Sequence, residues 1–225
     1  MTDFARLMSD YFVKYLAGQK GSGSNTMKTY RDTFVQLLEF MDEKKHIRAD
    51  CIEVDSFSYD IINEFLEYLE KEKRVSISTR NNRLAAIRSF FKYTGYHEPK
   101  YLNISTSIRE ISKKKTEGRQ MNYLSVNAME HFLNSFDKTD HKELRCFCIV
   151  LLLYESGARV TELCNVRRYD LHLEKPYTMI LHGKGDKIRS VPLDGLVADV
   201  ISNYIQKYRV DDNDFLFFKD RKSVV

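Results

Sequence analysis

The sequence lacks the long apolar segments that place a chain in a membrane or direct it out of the cell. No stretch approaches the roughly 20 consecutive apolar residues that a transmembrane helix needs. The chain opens with Thr2, Asp3 and Phe4 and has no apolar signal core. We therefore expect no export and a cytoplasmic protein.

Cysteine is scarce, with four copies at positions 51, 146, 148 and 164. There is no Cys-x-x-Cys pair, and no Cys/His cluster has the spacing of zinc ligands, so we expect no metal site. The neighbours of these cysteines are mostly apolar, which predicts reduced and buried thiols in a cytosolic protein.

Net charge is also small, because 36 Lys and Arg residues face 32 Asp and Glu residues and leave +4. The charge is nevertheless uneven: residues 71–120 hold 13 basic and 4 acidic side chains, or +9, so the rest of the chain sums to −5. A basic block in a near-neutral protein is typical of a surface that binds a polyanion. A solvated lysine-rich face followed by a linker would give the same pattern.

The first hundred residues carry four segments with apolar residues at helical spacing. The predicted helices span residues 2–17, residues 25–45, a segment capped by Ser58, and a segment that begins at Ser78 or Thr79 and ends near Gly95. Gly18 and the run Gly21-Ser22-Gly23-Ser24 separate the first two. Short loops between such helices predict a compact antiparallel bundle.

The fourth predicted helix has two different faces. Leu84, Ile87 and Phe91 form its buried stripe, whereas the opposite side carries Asn82, Ala85, Ala86 and Ser89, flanked by Arg83 and Lys92. Small residues with cations at their edges let a helix approach a DNA groove, where long side chains reach phosphates and Asn reads base edges. The candidate DNA-binding residues are Thr79, Asn82, Arg83 and Lys92 here and Lys28, Thr29 and Arg31 on the second helix. The alternative is two solvated helix faces.

Residues 101–122 are predicted to be a basic linker between a helical domain, 1–100, and a second domain, 123–225. Lys113, Lys114 and Lys115 lie there in a polar stretch. Such a strap could follow a phosphate backbone, or it could be a solvated tether.

The second domain combines helices with a β-hairpin. The predicted elements are a helix capped by Ser125, a helix over 141–155, a short helix opened by the turn 155–159, β-rich segments at 177–182 and 187–193, a helix over 195–209 and an apolar segment at 215–218. The helix over 141–155 is apolar nearly all round, which predicts a place at the domain centre.

Two motifs carry more information together than apart. Alone, an Arg after a Gly-Ala turn is commonly a surface ion pair, and Gly183-Lys184-Gly185 is usually a tight hairpin. Ser-Gly-Ala-Arg-Val-Thr-Glu-Leu at 156–163, followed by Gly-Lys-Gly-Asp-Lys-Ile-Arg-Ser-Val-Pro-Leu at 183–193, resembles the tyrosine recombinase (phage integrase) family. The resemblance covers the whole chain. It implies a mainly α fold, with a four-helix SAM-like core-binding domain and the first half of a mixed α/β catalytic domain with a small sheet.

The resemblance also implies roles for individual residues. Arg159 would clamp the scissile phosphate, since its planar fork matches two phosphate oxygens. Glu162 would orient its neighbours, and Lys184 would protonate the leaving 5′-oxygen. Lys187 and Arg189 could hold nearby phosphates. No metal, nucleotide or other cofactor is implied, because a phosphotyrosine linkage conserves the bond energy.

Other parts of the family pattern are missing. None of the six histidines is followed by Arg three positions on, so the His-x-x-Arg box is absent. Tyr204 and Tyr208 come too early for the nucleophile and are predicted to pack. We expect a C-terminally truncated recombinase, either a fragment or a natural short product, that is inactive as this chain. We also expect exposed apolar surface and self-association.

Three functions are compatible with these observations. The first is site-specific DNA recombination by strand cleavage and rejoining through a phosphotyrosine intermediate, with double-stranded DNA as the partner. The second is a non-catalytic DNA-binding module or regulator derived from a recombinase. The third is a helical scaffold with no nucleic-acid role. The first depends on Arg159 and Lys184 converging on one phosphodiester.

Overall fold

The structure is a computed structural model that describes residues 1–116, 118, 122–183, 185 and 187–217. The chain divides into two compact units, Met1–Gln120 and Met121–Val225. Within the described residues, no helix is both long and apolar enough to span a membrane.

The N-terminal unit has helices and no strand in its described part. Its helices are α1 (Asp3–Asp10), which continues as a π-helix (Tyr11–Gln19), α2 (Ser24–Lys45), α3 (Tyr59–Lys71), α4 (Ile77–His97) and α5 (Leu102–Glu110). Three 3₁₀ turns lie at Ala49–Cys51, Val54–Ser56 and Pro99–Tyr101.

The ends of α4 differ from the prediction. Ser76, not Ser78 or Thr79, is the N-cap, and its hydroxyl accepts a hydrogen bond from the N–H of Thr79 at 3.2 Å. The helix also runs through Gly95 to His97. Gly95 serves a close approach rather than a helix end, because a Cβ there would lie 2.6 Å from Ser105 on α5.

The core of this unit surrounds α4. The ring of Phe90 contacts those of Phe4, Tyr11 and Phe34 at centroid distances of 5.5, 5.4 and 5.3 Å. The predicted stripe of Leu84, Ile87 and Phe91 is fully buried, as expected. The prediction of a free small-residue face is wrong for Ala86, which is fully buried. Ala85 and Ser89 are half-buried, and the hydroxyl of Ser89 accepts a 2.8 Å hydrogen bond from Tyr11, whereas Asn82 is exposed.

The first part of the predicted linker is folded, so the prediction of a linker over all of 101–122 is wrong. Ile108 and Ile111 are buried in the core, with Ile104 packed beside them. The hydroxyl of Ser105 donates to the carbonyl of Phe91 at 2.6 Å. The three isoleucines have the spacing of a helical face, a signal that the nearby lysine run obscured.

The C-terminal unit combines four helices with one small sheet in its described part. The elements are α6 (Val126–Asn134), α7 (His141–Ser156), α8 (Val160–Cys164), β1 (Leu171–His172), β2 (Thr178–His182), β3 (Ile188–Pro192) and α9 (Gly195–Tyr208), with a 3₁₀ turn at Arg168–Asp170 before β1. The sheet is antiparallel with the order β1-β2-β3, and His182 pairs with Ile188 at the start of the predicted hairpin. The predicted fold class is confirmed, although β1 was not predicted.

The core of this unit lies between the sheet, α7 and α9. Met179 and Leu181 of β2 and Ile201 of α9 are fully buried. α7 contributes Phe147, Cys148 and Leu152 to this core, in agreement with its predicted central place, although several of its other apolar residues are only partly buried. The described α6 has no buried residue, and therefore covers α7 only in part.

All four cysteines are free, as predicted, but only Cys148 is buried. The prediction of buried thiols is wrong for Cys51, Cys146 and Cys164, which are exposed. Cys146 and Cys148 illustrate the reason, because residues two apart on a helix point to different sides whatever the polarity of their neighbours.

Candidate functional site

The candidate site is centred on the buried carboxylate of Glu162 in α8. Its Oε2 accepts a 2.9 Å hydrogen bond from the backbone N–H of Arg159, which caps the start of this helix. The Arg159 guanidinium donates to Oε1 at 2.6 Å. From β3, Arg189 donates to Oε2 at 2.8 Å and to Oε1 at 3.3 Å, so both arginines converge on one carboxylate.

The hairpin starts directly against this carboxylate. A Cβ at Gly183 would lie 3.3 Å from Oε1 of Glu162 and 3.3 Å from the carbonyl oxygen of Lys187. The Gly183 N–H donates to that same carbonyl at 2.7 Å, which closes the base of the turn. Glycine therefore allows the hairpin to lie close to Glu162.

The site carries an excess of positive charge. The pKa of Glu162 is lowered to about 2, first by the Arg159 N–H and then by the guanidinium groups of Arg189 and Arg159. Glu162 is therefore ionised at neutral pH, and one negative charge faces two positive ones. The side chain of Glu162 is 4% exposed, whereas that of Arg159 is 73% exposed and that of Arg189 is 42% exposed.

A second buried carboxylate, that of Asp170, lies at the end of β2, where the hairpin begins. Its Oδ2 accepts from the N–H of Arg167 at 2.8 Å, and its Oδ1 lies 3.2 Å from Nε2 of His182, the last residue of β2. Sequence reasoning missed both Asp170 and His182. The available signal was a repeated spacing, since Arg167 and Asp170 copy the Arg-x-x-acid pattern of Arg159 and Glu162.

Some predicted site residues have other positions or partners. Lys184 lies outside the described residues, so its convergence with Arg159 stays a prediction. Lys187 is exposed beside the hairpin.

No group of three or more His, Cys, Asp or Glu side chains in the described ranges is arranged to hold a metal ion. Tyr204 is buried and Tyr208 donates to the carbonyl of His141 at 2.7 Å, as expected for packing residues.

The candidate DNA-binding residues of the N-terminal unit come together on α2 and α4. Arg83 of α4 donates to the carbonyl of Thr29 on α2 at 3.1 Å, and this contact places the two predicted sets side by side. Most members of the two sets are exposed: Lys28, Arg31, Asn82 and Lys92; Thr29 and Thr79 are half-buried. Arg83 thus joins the two helices instead of standing free. Lys113, Lys114 and Lys115 are exposed, and Lys114 forms an ion pair with Glu70.

Comparison with known proteins decides the family. A family model described as "Phage integrase, N-terminal SAM-like domain" matches residues 10–99, and one described as "Phage integrase family" matches residues 122–224. The chain belongs to the phage integrase family of tyrosine recombinases. The two matches fall in the two units described above.

Curated relatives include tyrosine recombinases. The chain is 29% identical to tyrosine recombinase XerD of Listeria innocua, over 92% of this chain and 69% of the relative. It is 27% identical to tyrosine recombinase XerC of Staphylococcus aureus, over 90% of this chain and 64% of the relative. The chain thus spans about two thirds of the length of these relatives.

Solved structures share the fold. The XerH site-specific recombinase in its post-cleavage complex with difH substrate matches with a TM-score of 0.68 and 22% identity, over 96% of this chain and 63% of that one. The Tn1549 transposon integrase in complex with transposon right-end DNA matches with a TM-score of 0.67 and 20% identity, over 98% and 72%.

Proposed function

We propose that this chain is the DNA-binding part and part of the catalytic centre of a site-specific recombinase that cleaves and rejoins DNA through a phosphotyrosine. The observation that carries the proposal is the buried, ionised Glu162 with Arg159 and Arg189 bound to it. Membership of the family and DNA-bound structures of the same fold support it.

Arg159 is the proposed ligand of the scissile phosphate. Among its described contacts, only Nη1 of the guanidinium is used, and the exposed remainder of its five-donor fork is free for phosphate oxygens. Glu162 fixes the position of this fork before DNA arrives. A positive charge fixed in place stabilises the negative charge that develops on the phosphate oxygens in the transition state.

Arg189 takes a supporting role in this proposal. Sequence reasoning offered it as a phosphate ligand, but both of its terminal nitrogens donate to Glu162. A phosphate would have to compete with a bidentate carboxylate, which is a strong partner for arginine. We therefore propose that Arg189 links β3 to α8, while Lys184 acts as the general acid and Lys187 assists.

The proposed DNA partner contacts both units. In the N-terminal unit, the exposed Lys28, Arg31, Asn82 and Lys92 are the proposed contacts, with Arg83 holding their two helices together. We also propose self-association through apolar side chains that are exposed around α6 and α7: Tyr123, Leu124, Val126, Phe132 and Tyr154.

Salt-dependent DNA binding tests the proposal. Fluorescence anisotropy of the 225-residue chain on a labelled duplex should give a log affinity that falls linearly with log salt, with about 0.9 of slope for each phosphate neutralised. Arg159→Ala should lower that slope by about 0.9. Lys207→Ala, which removes an exposed cation on α9 of the same unit, should not. Absence of DNA binding would favour the scaffold function instead.

A covalent-adduct assay separates a recombinase from a DNA-binding regulator. We expect this polypeptide alone to form no denaturation-resistant adduct on a suicide substrate, because the 225 residues contain no His-x-x-Arg box. An adduct would contradict this expectation. A longer version of the chain that supplies this box and a later tyrosine should form one, whereas a regulator would not.

A further inference from the structure

Ser112 and Lys114, which follow α5, are held against the start of α4 by hydrogen bonds with side chains of that helix. Nη1 of Arg80 donates to the carbonyl of Ser112 at 3.1 Å. The Asn81 amide pairs with both backbone groups of Lys114: its Nδ2 donates to the carbonyl at 2.8 Å, and its Oδ1 accepts from the N–H at 3.1 Å. Asn81 thus holds the backbone as a neighbouring strand would.

The charge of Lys114 already has a partner. Its Nζ lies 2.8 Å from Oε2 of Glu70 on α3, and Oε1 of the same carboxylate lies 3.3 Å from Nε of Arg80. The Arg80 side chain is buried, at 5% exposed. Glu70 therefore lies between two cations, and a DNA phosphate that bound Lys114 would have to displace this carboxylate or lie beside its negative charge.

The two neighbouring lysines differ from Lys114. Lys113 and Lys115 are exposed, and neither has a hydrogen bond or ion pair with any other described residue. The contacts of Ser112 and Lys114 fix the backbone on each side of Lys113 and directly before Lys115. In this lysine run, Lys114 is anchored, whereas Lys113 and Lys115 are available to bind phosphate.

We propose that Lys113 and Lys115 are the phosphate ligands of this segment, and that Lys114 is an anchor with no DNA contact. Arg80, Asn81 and Glu70, here called the linker clamp, set the path on which the two lysines meet the DNA backbone. Binding then requires little ordering of the segment, which lowers its entropic cost. This inference rests on the proposed DNA-binding function and divides among residues a role that the sequence assigned to all three lysines.

Salt slopes of single variants test the division. Lys113→Ala and Lys115→Ala should each lower the slope by about 0.9, whereas Lys114→Ala should leave it unchanged. Glu70→Gln, which leaves Lys114 without a counter-charge, should raise the slope. An equal loss for all three lysines would overturn the proposal, and so would a loss confined to Lys114→Ala. Salt-independent binding by the unaltered chain would overturn the proposed function itself.

Limited proteolysis without DNA tests the clamp separately. Trypsin cleavage after Lys113 and Lys115, followed by mass spectrometry, should be about 30-fold faster in Asn81→Ala, because two hydrogen bonds worth about 2 kcal/mol together are lost and each 1.4 kcal/mol is about tenfold. Asn103→Ala removes an exposed amide from α5 in the same unit and should cleave at the original rate. Equal rates in the two variants would overturn the clamp, whatever the DNA result.

Discussion

Glu162 should titrate far below an ordinary glutamate, and its two arginines should contribute unequally. Its pKa is lowered to about 2 from 4.5. Arg189→Ala removes two hydrogen bonds and a cation, and a cation at this distance lowers a carboxyl pKa by roughly 1–3 units. We expect this variant to raise the Glu162 pKa by at least about 1 unit. Arg159→Ala should raise it less, because the Arg159 side chain donates one hydrogen bond to the carboxylate where Arg189 donates two, and it lowers the pKa less than Arg189 does.

Carbon-detected NMR of the side-chain carboxyls, recorded on the full chain from neutral to acid pH, measures these values. Lys207→Ala is the control, since it changes net charge equally without touching Glu162. A wild-type Glu162 that titrates near 4.5, or a larger effect of Arg159→Ala than of Arg189→Ala, would refute the described geometry.

The same shift predicts the direction of a pH effect on stability. Because the folded pKa lies below the unfolded value, ionised Glu162 stabilises the fold fully above pH 4.5, and this contribution is lost as pH falls towards about 2. Glu162→Gln cannot titrate. Its free energy of unfolding, from urea denaturation at several pH values, should therefore depend less on pH in this window than that of the unaltered chain. Identical pH dependence would contradict the assignment.

Two further predictions concern packing. Gly95→Ala places a Cβ against Ser105, at a cost of about 1–3 kcal/mol of overpacking that exceeds the gain in helix propensity, so urea denaturation should show a less stable chain. Ser105→Gly should cost less stability in that variant than in the unaltered chain, and additive effects would contradict the close approach. Of the four thiols, only Cys148 should resist a thiol reagent in the native state, because burial hides it and raises its pKa to about 12. A second protected thiol, counted by mass spectrometry, would contradict the exposure of the others.

Most helices were predictable because apolar spacing and caps are local. Ser58 and Ser125 cap α3 and α6 as predicted. The burial of Ala86 on α4 and the partial exposure of α7 depend on elements distant in sequence, which no local pattern reports. α5 was missed for a different reason, because the nearby lysine run obscured the helical spacing of its isoleucines.

The candidate site shows the same division between local and distant contacts. The capping of Arg159 by Glu162 is local, and Arg-x-x-Glu spacing could indicate it. The contact of Arg189 with Glu162 depends on the register of β2 with β3, in which Arg189 pairs with Leu181. The contact of His182 with Asp170 depends on the turn before β1. Such contacts cannot be predicted from the sequence without knowing how the strands of the sheet pair.

The two buried carboxylates fix the position of the hairpin formed by β2 and β3. β3 has no buried residue, so apolar packing gives its position little support. Glu162 binds Arg189 of β3 and lies against Gly183, and Asp170 lies against His182. Polar contacts therefore hold both strands where the turn begins. Because Glu162 also holds Arg159, one carboxylate sets the position of the proposed phosphate ligand and of the hairpin together. A substitution at Glu162 should therefore displace both Arg159 and the hairpin, although the residues of each are unchanged.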